Sequence, residues 1–325
     1  MAPKMLAMRE VWAATLVELA PLYPRMLVLD GDLANSTRAE VFEAAYPDRF
    51  LEMGIAEQNM MGVAAGLATL GFIPWLSSFA AFLTHRDLDQ LRVVVAQPNL
   101  NVKLGAGYSG LLTSKTGKTH QDVQDLAIMR AMPNMTVVAP ADGVELRLAM
   151  YAIMEHHGPT YLRLTRDPAP CLFDESHRFV LGKAVVVREG SDLTIISTGA
   201  QTVRAAEAAD LLAREGISVH LLHVPTLKPL DVEAIVAAAD RTGVVLTTEE
   251  HNIIGGLGAA VAETLGEHRP TPMLRHGIND CYGESGPNEA LLDKYGLSAP
   301  HIAAAARRLL ERVHSRRPPA PTGHR

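Results

Sequence analysis

Residues 49–70 read RFLEMGIAEQNMMGVAAGLATL and place the carboxylate of Glu57 directly before a long segment without charge. Residues 58–84 contain no Asp, Glu, Lys, Arg or His, and the small residues at 64–68 predict a helix that can pack closely against its neighbours. A carboxylate at the edge of an apolar region has a raised pKa unless it is paired, and such a group can carry a proton in catalysis. A helix N-terminus also favours a carboxylate through its dipole alone, so this stretch by itself leaves both interpretations open.

The uncharged segment is long enough to suggest a membrane span. Pro74 and the glycines at 62, 66 and 71 interrupt it, so we expect a buried helix, a turn and a buried strand. The first residues show no apolar run followed by a cleavage site, and the only two cysteines, Cys171 and Cys281, suit a reducing compartment. We therefore expect a cytoplasmic protein that does not insert into a membrane.

The chain has 325 residues, of which 48% are hydrophobic, enough for two packed domains. Its net charge of −6 argues against a nucleic-acid partner, because such domains usually carry clustered Lys and Arg. Residues 117–119 (GKT) lack the earlier glycine of a phosphate-binding loop, and residues 255–258 (GGLG) do not complete a dinucleotide fingerprint. Neither nucleotide class is therefore indicated.

Short apolar runs alternate with helical patterns along the whole chain, which predicts an α/β fold with two domains, each a mostly parallel sheet flanked by helices. We expect a first domain at 1–170, a linker at 171–182, a second domain at 183–314 and a disordered tail at 315–325. Asp142 is a candidate N-cap, with Glu145 as its capping-box partner. The predicted strands are 26–30, 72–76, 101–105, 136–139, 160–164, 184–187, 193–197, 219–224 and 244–248, and the predicted helices are 5–20, 57–70, 82–97, 122–130, 142–156, 202–215, 257–265 and 299–313.

The block GIAEQNMMGVAAGLA (54–68) resembles the pyrimidine-binding domain of transketolase and of 1-deoxyxylulose-5-phosphate synthase, enzymes that use thiamine diphosphate. Three further blocks agree in order and spacing: SSFAAFLTHRDLDQLR (77–92), GKTHQDVQDLAIMRAMPNMTVVAPAD (117–142) and PTYLRLTR (159–166). The blocks TTEEHNIIGGLGAAVAE (247–263) and YGESGPNEALLDKYGL (282–297) resemble the C-terminal domain of the same family. The resemblance runs from about residue 5 to about residue 313 and is specific to the family rather than to a substrate.

The resemblance implies a cofactor-binding role for four residues. Glu57 matches the glutamate that bonds N1′ of the aminopyrimidine and favours the 4′-imino tautomer, which removes the thiazolium C2 proton. Phe79 and Phe82 match residues that flank the aminopyrimidine, with Phe82 stacking on it. His85, where many transketolases have tyrosine, is expected in the same pocket.

The resemblance also implies a substrate channel. His120 matches the histidine near the reactive oxygens of the donor, and Arg166, Arg9 and Ser36 match contacts to a substrate phosphate.

Two residues of this channel depart from the family pattern. Thr116 stands where an aspartate contacts a sugar hydroxyl, and Tyr108 stands where a histidine contacts phosphate. We expect both residues to bind substrate, and their substitution suggests an altered donor or acceptor.

The family binds the cofactor diphosphate and its divalent metal on a further domain, through G-D-G and a later asparagine. Residues 30–32 here read DGD and lack that context, so no metal ligand is expected in this chain. The resemblance implies that thiamine diphosphate lies between this chain and an N-terminal, diphosphate-binding subunit that holds Mg²⁺ or another divalent metal. We expect an α2β2 heterotetramer whose seam includes the uncharged segment.

The function implied is that of the C-terminal subunit of a split transketolase in carbohydrate metabolism, active only with its partner. It would transfer a two-carbon ketol unit from a ketose, such as a sugar phosphate, to an aldose. One alternative is another thiamine-dependent subunit, like 1-deoxyxylulose-5-phosphate synthase or the β subunit of a 2-oxo-acid dehydrogenase. The other is a non-catalytic regulatory paralogue, against which the presence of Glu57, Phe82 and His120 argues.

Overall fold

Runs of aliphatic and β-branched residues form two large sheets and one two-stranded sheet in the computed structural model, which describes residues 4–315 apart from the side chain of Ser114. Of the expected tail, residues 316–325 lie outside the described part of the chain. The prediction of two domains with mostly parallel sheets flanked by helices is confirmed.

The first domain is built on the larger sheet. Its strands are β1 (Met5–Ala7), β2 (Met26–Asp30), β3 (Phe50–Glu52), β4 (Ile73–Phe79), β5 (Lys103–Gly107), β6 (Thr136–Val138), β7 (Thr160–Arg163) and β8 (Pro168–Pro170). Its helices are α1 (Met8–Leu19), α2 (Ala34–Thr37), α3 (Glu40–Ala45), α4 (Glu57–Thr69), α5 (Ala80–His85), α6 (Leu88–Gln90), which continues into a π-helical turn (Leu91–Ala96), α7 (Asp125–Ala131) and α8 (Gly143–Glu155).

The second domain repeats the alternation around a smaller sheet. Its strands are β9 (Val185–Arg188), β10 (Leu193–Ser197), β11 (Val219–His223), β12 (Thr226–Lys228), β13 (Val245–Asn252) and β14 (Met273–Ile278). Its helices are α9 (Gln201–Arg214), α10 (Val232–Thr242), α11 (Leu257–His268), α12 (Asn288–Lys294) and α13 (Ala299–His314).

Strand β12 joins the two domains, because it pairs with a strand of the first domain although it follows β11 of the second. The seven-stranded sheet has the order β12-β6-β7-β5-β4-β2-β3, and only β12 runs antiparallel in it. The five-stranded sheet has the order β14-β13-β10-β11-β9, with β9 antiparallel at its edge. One apolar core continues through both domains, from Leu29 and Leu76 to Leu222 and Val245.

The carboxyl ends of β2, β4 and β5 meet at one edge of the larger sheet. Asp30 at the end of β2 lies beside Ser77, and Phe79 at the end of β4 lies beside Gly107 at the end of β5. Ligands of open parallel sheets bind at this edge, so the topology brings separate sequence blocks together there.

The uncharged segment forms α4, a turn, β4 and the start of α5, and β4 is almost entirely buried as expected. Helix α4 buries Met60, Met61 and Ala64 but leaves residues 58, 59, 62 and 66 exposed, so the expectation of a buried helix holds for one face only. Within residues 4–315, none of the helices combines the length and the apolar composition that a membrane span requires.

Several boundaries differ from the sequence-based expectation. Residues 5–7 form β1 rather than the first turn of a helix, because they pair with β8. The helix expected at 82–97 is divided into α5, α6 and the π-helical turn. Elements that the sequence analysis missed include β14, α10 and α12.

Asp142 caps α8 as predicted: its Oδ1 accepts from the amides of Val144 and Glu145. The expected capping box is not formed as such, because Glu145 accepts from the amide of Ala141 rather than from that of Asp142. The other oxygen of Glu145 accepts from neither amide and instead lies 3.1 Å from His177 Nε2.

Candidate functional site

Glu57 begins α4 with its side chain almost fully buried. Arg86 Nη1 donates to Glu57 Oε1 over 2.9 Å, and the Arg86 guanidinium lies 3.7 Å from the centroid of the Phe82 ring. The carboxylate is therefore paired, a condition that the sequence alone left open. Arg86 is a site residue that the sequence analysis did not single out, because nothing in its local pattern links it to a residue 29 positions earlier.

Asp87 is a second buried carboxylate beside this pair. Among residues 4–315 its two side-chain oxygens have no hydrogen-bond partner in another residue, and burial raises the pKa of Asp87 well above its usual value. It directly precedes α6, next to Arg86. A carboxyl group that burial shifts towards its neutral form thus lies next to the Glu57–Arg86 ion pair.

Aromatic rings form one face of the site. Phe79 at the end of β4 and Phe82 in α5 have ring centroids 5.6 Å apart, and Tyr108 stacks on Phe79 at 4.0 Å. His120 meets Phe82 edge-on at 5.3 Å. The predicted residues Phe79, Phe82, Tyr108 and His120 therefore form one aromatic cluster around Phe79, which contacts the other three rings. Two of the four, Tyr108 and His120, are far from α5 in sequence.

His85 interacts with a carboxylate rather than with the aromatic rings. Its Nε2 lies 3.4 Å from Oδ2 of the buried Asp122, and this hydrogen bond raises the pKa of His85 above its usual value. Burial alone would raise the pKa of Asp122, but His85 and the amide of Gln124 outweigh burial and lower it. Asp122 is a further functional candidate that the sequence analysis missed.

The residues expected to bind phosphate converge on one hydroxyl. Arg9 Nη1 donates to the Tyr108 hydroxyl over 3.2 Å, and Arg166 Nε donates to the same oxygen over 2.9 Å. Arg9 also donates to the carbonyl oxygen of Ser36, whose own hydroxyl bonds Asn35. The Tyr108 phenol thus lies between two guanidinium groups.

A cavity of about 600 Å³ adjoins Arg166. Thr116 lines it and bonds Thr113, within the loop between β5 and α7. Residues from both domains share the lining, namely Lys115, Thr116, Arg166 and Asp167 from the first domain and Asn288 and Glu289 from the second. The contribution of the second domain was not predicted, since the family resemblance gave no role to residues 282–297.

The loop at residues 109–121 follows Tyr108 and contains His120, and it is attached to the second domain. Glu250 Oε1 accepts from the amides of Leu111 and Leu112, the latter over 3.0 Å. Gly110 precedes them with a φ of +68°, and a Cβ there would lie 2.3 Å from Glu250 Oε1. Burial raises the pKa of Glu250, and the nearby Arg163 opposes that shift.

Arg163 anchors this attachment from the first domain. Its Nε donates to Asp125 Oδ2 over 2.8 Å, and its Nη2 donates to the carbonyl oxygen of Glu250 over 3.0 Å. Tyr161 donates to the same oxygen of Asp125 over 2.8 Å. These buried charges fix the position of the loop relative to both sheets.

Asp30 lies at the carboxyl end of β2, in the DGD sequence. Its Oδ1 accepts from the amide of Leu33, its Oδ2 is buried without a partner among residues 4–315, and burial raises its pKa to about 6. Across the part of the chain that the structure describes, no three His, Cys, Asp or Glu side chains come together as a metal site.

Comparison with known proteins agrees with this geometry. A model of the transketolase pyrimidine-binding domain matches residues 4–170, and a model of the transketolase C-terminal domain matches residues 182–302. The chain belongs to the transketolase family. Membership implies the use of thiamine diphosphate.

Individual relatives refine the assignment within the transketolases. The chain is 43% identical to the "6-deoxy-6-sulfo-D-fructose transketolase subunit SqwH" of Clostridium sp. (strain MSTE9), covering 95% of this chain and 96% of that one. It is 46% identical to a solved structure described as "Split gene transketolase, inactive beta4 tetramer", with a TM-score of 0.88, covering 94% of this chain and 99% of that one.

A longer relative shows how much of a whole transketolase this chain represents. It is 36% identical to mouse "Transketolase-like protein 2", covering 93% of this chain but only 48% of that protein. The prediction of a C-terminal subunit of a split transketolase, a ketol transferase that works with a partner, is thereby confirmed at the level of the family.

Proposed function

We propose that this chain supplies the pyrimidine-binding half of a thiamine diphosphate site and transfers a two-carbon ketol unit from a ketose to an aldose. The observation that carries the proposal is the buried Glu57, which Arg86 connects to the Phe82 ring that Phe79 and His120 also contact. A buried acceptor next to stacked aromatic rings fits an aminopyrimidine, which is planar and has a ring nitrogen to protonate. When bound, thiamine diphosphate supplies the nucleophilic carbon that carries the two-carbon unit between substrates.

The proton chemistry belongs to Glu57 and His120. Glu57 holds the proton at N1′ of the aminopyrimidine, and Arg86 keeps its carboxylate in place. Phe82 would stack on the pyrimidine with Phe79 behind it. His85, which lies 3.4 Å from Asp122, would line the same pocket. His120 would stabilise the substrate oxygen that becomes charged, or exchange a proton with it. Its ring meets Phe82 edge-on, and its Nδ1 lies 2.9 Å from Thr119 Oγ1.

Substrate binding belongs to the arginine end of the site. Arg9 and Arg166 provide positive charge for a terminal anion, with Ser36 and Tyr108 between and beside them. Thr116 lines the adjoining cavity, where an aspartate is usual in the family. The two substitutions at 108 and 116 support an altered donor or acceptor, and the sulfosugar in the name of the Clostridium relative is one example of such a change within the family.

The cofactor is shared with an N-terminal subunit that binds the diphosphate and Mg²⁺ or another divalent metal. Three observations support this arrangement: the chain spans about half of mouse Transketolase-like protein 2, a relative is named as a subunit, and the related split-gene transketolase structure is described as an inactive β4 tetramer. We propose an α2β2 complex in the cytoplasm, with domain boundaries at 170 and 183.

Reconstitution tests the proposal. This chain, the N-terminal subunit and their mixture are each assayed for ketol transfer and for thiamine diphosphate binding with Mg²⁺. We expect transfer and stoichiometric binding only in the mixture, which should sediment as a four-chain complex. Full turnover and tight cofactor binding by this chain alone would contradict the shared site.

The donor and acceptor are tested in the same mixture. Because of Tyr108 and Thr116, we expect poor turnover of xylulose 5-phosphate with ribose 5-phosphate. Efficient turnover of that pair would show that the two substitutions leave the specificity unchanged. Product analysis with pyruvate separates ketol transfer from a synthase reaction.

A further inference from the structure

We infer that the second domain builds one wall of the substrate cavity and that Asn288 is the positioning residue through which this domain orients Arg166. The inference rests on the proposed function and assigns part of the specificity of that site to a residue outside the pyrimidine-binding domain. Asn288 is the first residue of α12 and lines the cavity together with Arg166.

A series of hydrogen bonds connects Asn288 to the anion-binding end of the site. Asn288 Nδ2 donates to Asp167 Oδ2 over 2.7 Å, and Arg166 Nη1 donates to Asp167 Oδ1 over 2.5 Å. Arg166 Nε then donates to the Tyr108 hydroxyl over 2.9 Å. The series begins in the second domain and ends between the two guanidinium groups.

This series determines the plane of the guanidinium. Each oxygen of Asp167 binds a different partner, so the carboxylate cannot rotate without weakening both bonds. A guanidinium is planar, and bonds at both Nε and Nη1 fix the direction of its remaining N–H groups. Asn288 therefore acts on the substrate through Asp167 and Arg166, not by reacting with it.

The segment of the second domain that forms this wall, residues 284–289, is attached to the loop at residues 109–121. Ser285 Oγ donates to the carbonyl oxygen of Lys115 over 2.6 Å, and Gln121 Nε2 donates to that of Glu284 over 3.0 Å. Asn288 follows within the same short segment. The two hydrogen bonds of Glu284 and Ser285 to the loop therefore limit how far Asn288 can move from it. Lys115 and Thr116 are thereby held opposite Asn288.

The charges of the cavity indicate which substrates depend on the orientation of Arg166. Asp167 offsets part of the charge of Arg166, and the ion pair must be correctly placed for a terminal anion to gain from the guanidinium. A substrate without a terminal anion makes no use of that charge. Changes at Asn288 should therefore alter the binding of anionic sugars and leave uncharged sugars nearly unaffected.

The experiment uses the reconstituted complex with a saturating ketose donor that it accepts, and two acceptors that differ in the terminal group, D-ribose 5-phosphate and D-ribose. KM is measured for each acceptor even where its turnover is slow. In Asn288→Ala we expect the KM for ribose 5-phosphate to rise about tenfold, because a hydrogen bond to a charged group is lost. The kcat and the KM for ribose should change less than twofold. Asn288→Asp, which places a second carboxylate beside Asp167, should act in the same direction and more strongly.

Asp293→Asn is the matched control, since Asp293 lies in the same helix but is exposed and accepts from Ser298 rather than joining the Arg166 series. It should leave the ratio of the two KM values as in the wild type. An equal change of both KM values in Asn288→Ala would overturn the inference, since it would indicate general damage to the cavity.

Calorimetric titration with ribose 5-phosphate and with ribose tests the inference without turnover. We expect the Kd for ribose 5-phosphate, but not that for ribose, to rise in Asn288→Ala, and an unchanged Kd overturns the inference. A wild-type complex that binds ribose 5-phosphate no more tightly than ribose also overturns it. A wild-type complex that binds these sugars but transfers no ketol unit contradicts the proposed function alone.

Discussion

At the scale of single residues, the pair of Glu57 and Arg86 combines two requirements that conflict in an isolated carboxylate. Burial favours the uncharged acid, whereas a proton acceptor must be able to lose its proton. Arg86 is 44% exposed in its side chain and stacks on Phe82, so it supplies charge without being removed from solvent. The same cation thus stabilises the carboxylate and the aromatic ring on which we place the pyrimidine.

Glu57→Gln should therefore abolish most of the activity while leaving the fold intact. Glutamine has nearly the same shape and can still accept from Arg86, but it cannot hold a proton. We expect kcat of the reconstituted complex to fall by a factor of about 10²–10⁴, the usual contribution of a general acid–base group. Glu43→Gln, which changes an exposed glutamate of α3, is the control and should retain full kcat. Wild-type kcat in Glu57→Gln would favour a non-catalytic role for the chain.

The pair of His85 and Asp122 makes the site sensitive to pH. Because Asp122 raises the pKa of His85 above its usual value of about 6.5, protonated His85 stabilises the folded state. That contribution is complete below about pH 6.5 and is lost as the pH rises through the higher pKa of the folded state.

Asp122→Asn removes the cause of this shift. NMR titration should show the His85 resonance moving to a lower pH midpoint in Asp122→Asn than in the wild type. Asp89→Asn, in the same region but paired with Arg92, should leave the midpoint of His85 where it was. A midpoint that does not respond to Asp122→Asn would assign the shift to another group.

The family resemblance predicted site residues of the first domain but not their partners. Glu57, Phe79, Phe82 and His120 were predicted because each stands at a position of a family motif, and their roles in catalysis stay predictions. Arg86, Asp87 and Asp122 could not, because their roles depend on tertiary contacts that no spacing expresses. Tyr108 was predicted as a substrate residue, but its position between Arg9 and Arg166 follows only from the fold.

At the scale of elements, the loop at residues 109–121 shows how the second domain contributes to a site in the first. Its backbone amides at Leu111 and Leu112 are buried, and Glu250 of β13 satisfies both. Buried amides without an acceptor would each cost about 1–3 kcal/mol. The loop therefore keeps its shape only while the second domain is docked.

Glu250→Ala should loosen this loop selectively. We expect amide exchange at Leu111 and Leu112 to accelerate by at least tenfold, corresponding to about 1.4 kcal/mol or more, and the global unfolding free energy to fall by roughly 2–5 kcal/mol. Glu250→Gln retains an acceptor oxygen and should preserve most of the protection.

Glu249→Ala is the contrasting variant. Glu249 accepts from the amides of Leu257 and Gly258 at the start of α11, so its loss should release those amides and not the loop. If the amide of Leu111 exchanged at the same rate in the two alanine variants, the loop would be responding to general destabilisation instead.

Element boundaries were predictable where apolar periodicity and caps agreed. Asp142 before α8 is one such case. The expected helix at 82–97 is interrupted because Asp87 adopts a non-helical conformation before α6 and because the π-helical turn changes which side chains face the core. Strand β14 was missed because its sequence, MLRHGI, carries charge and is only partly buried. Helix α10 had usable signals, the cap of Asp231 and the left-handed Gly243 after its last turn.

At the scale of the whole molecule, a second buried contact ties the two domains to the segment between them. Glu145 of α8 lies 2.7 Å from His223 Nε2 of β11 and 3.1 Å from His177 Nε2. Burial alone would raise the pKa of Glu145, but the two histidines outweigh burial and lower it to about 2. The residues expected to form a plain linker therefore pack against both domains.

This contact should make the joined domains sensitive to acid. A carboxylate whose folded-state pKa is lowered stabilises the fold above its unfolded value of about 4.5, and this stabilisation is lost as the pH falls towards 2. Glu145→Gln should thus be less stable than the wild type at pH 7, with the difference shrinking below pH 4.5, as measured by denaturant unfolding. Glu155→Gln, at the exposed end of the same helix, is the control. A difference that stays constant with pH would show that the charge of Glu145 does not matter.

Strand β12 has a consequence for how such chains can be recombined. Strand β12 belongs to the second half of the sequence but completes the sheet of the first domain. The two domains therefore cannot be exchanged independently between relatives. A chimaera that joins this first domain to the second domain of a relative would import a foreign edge strand beside β6, with its own register and side chains. A working chimaera must therefore keep residues 225–229 together with the sheet that they complete. A protease cut in the connecting segment should leave two fragments that remain associated through β12.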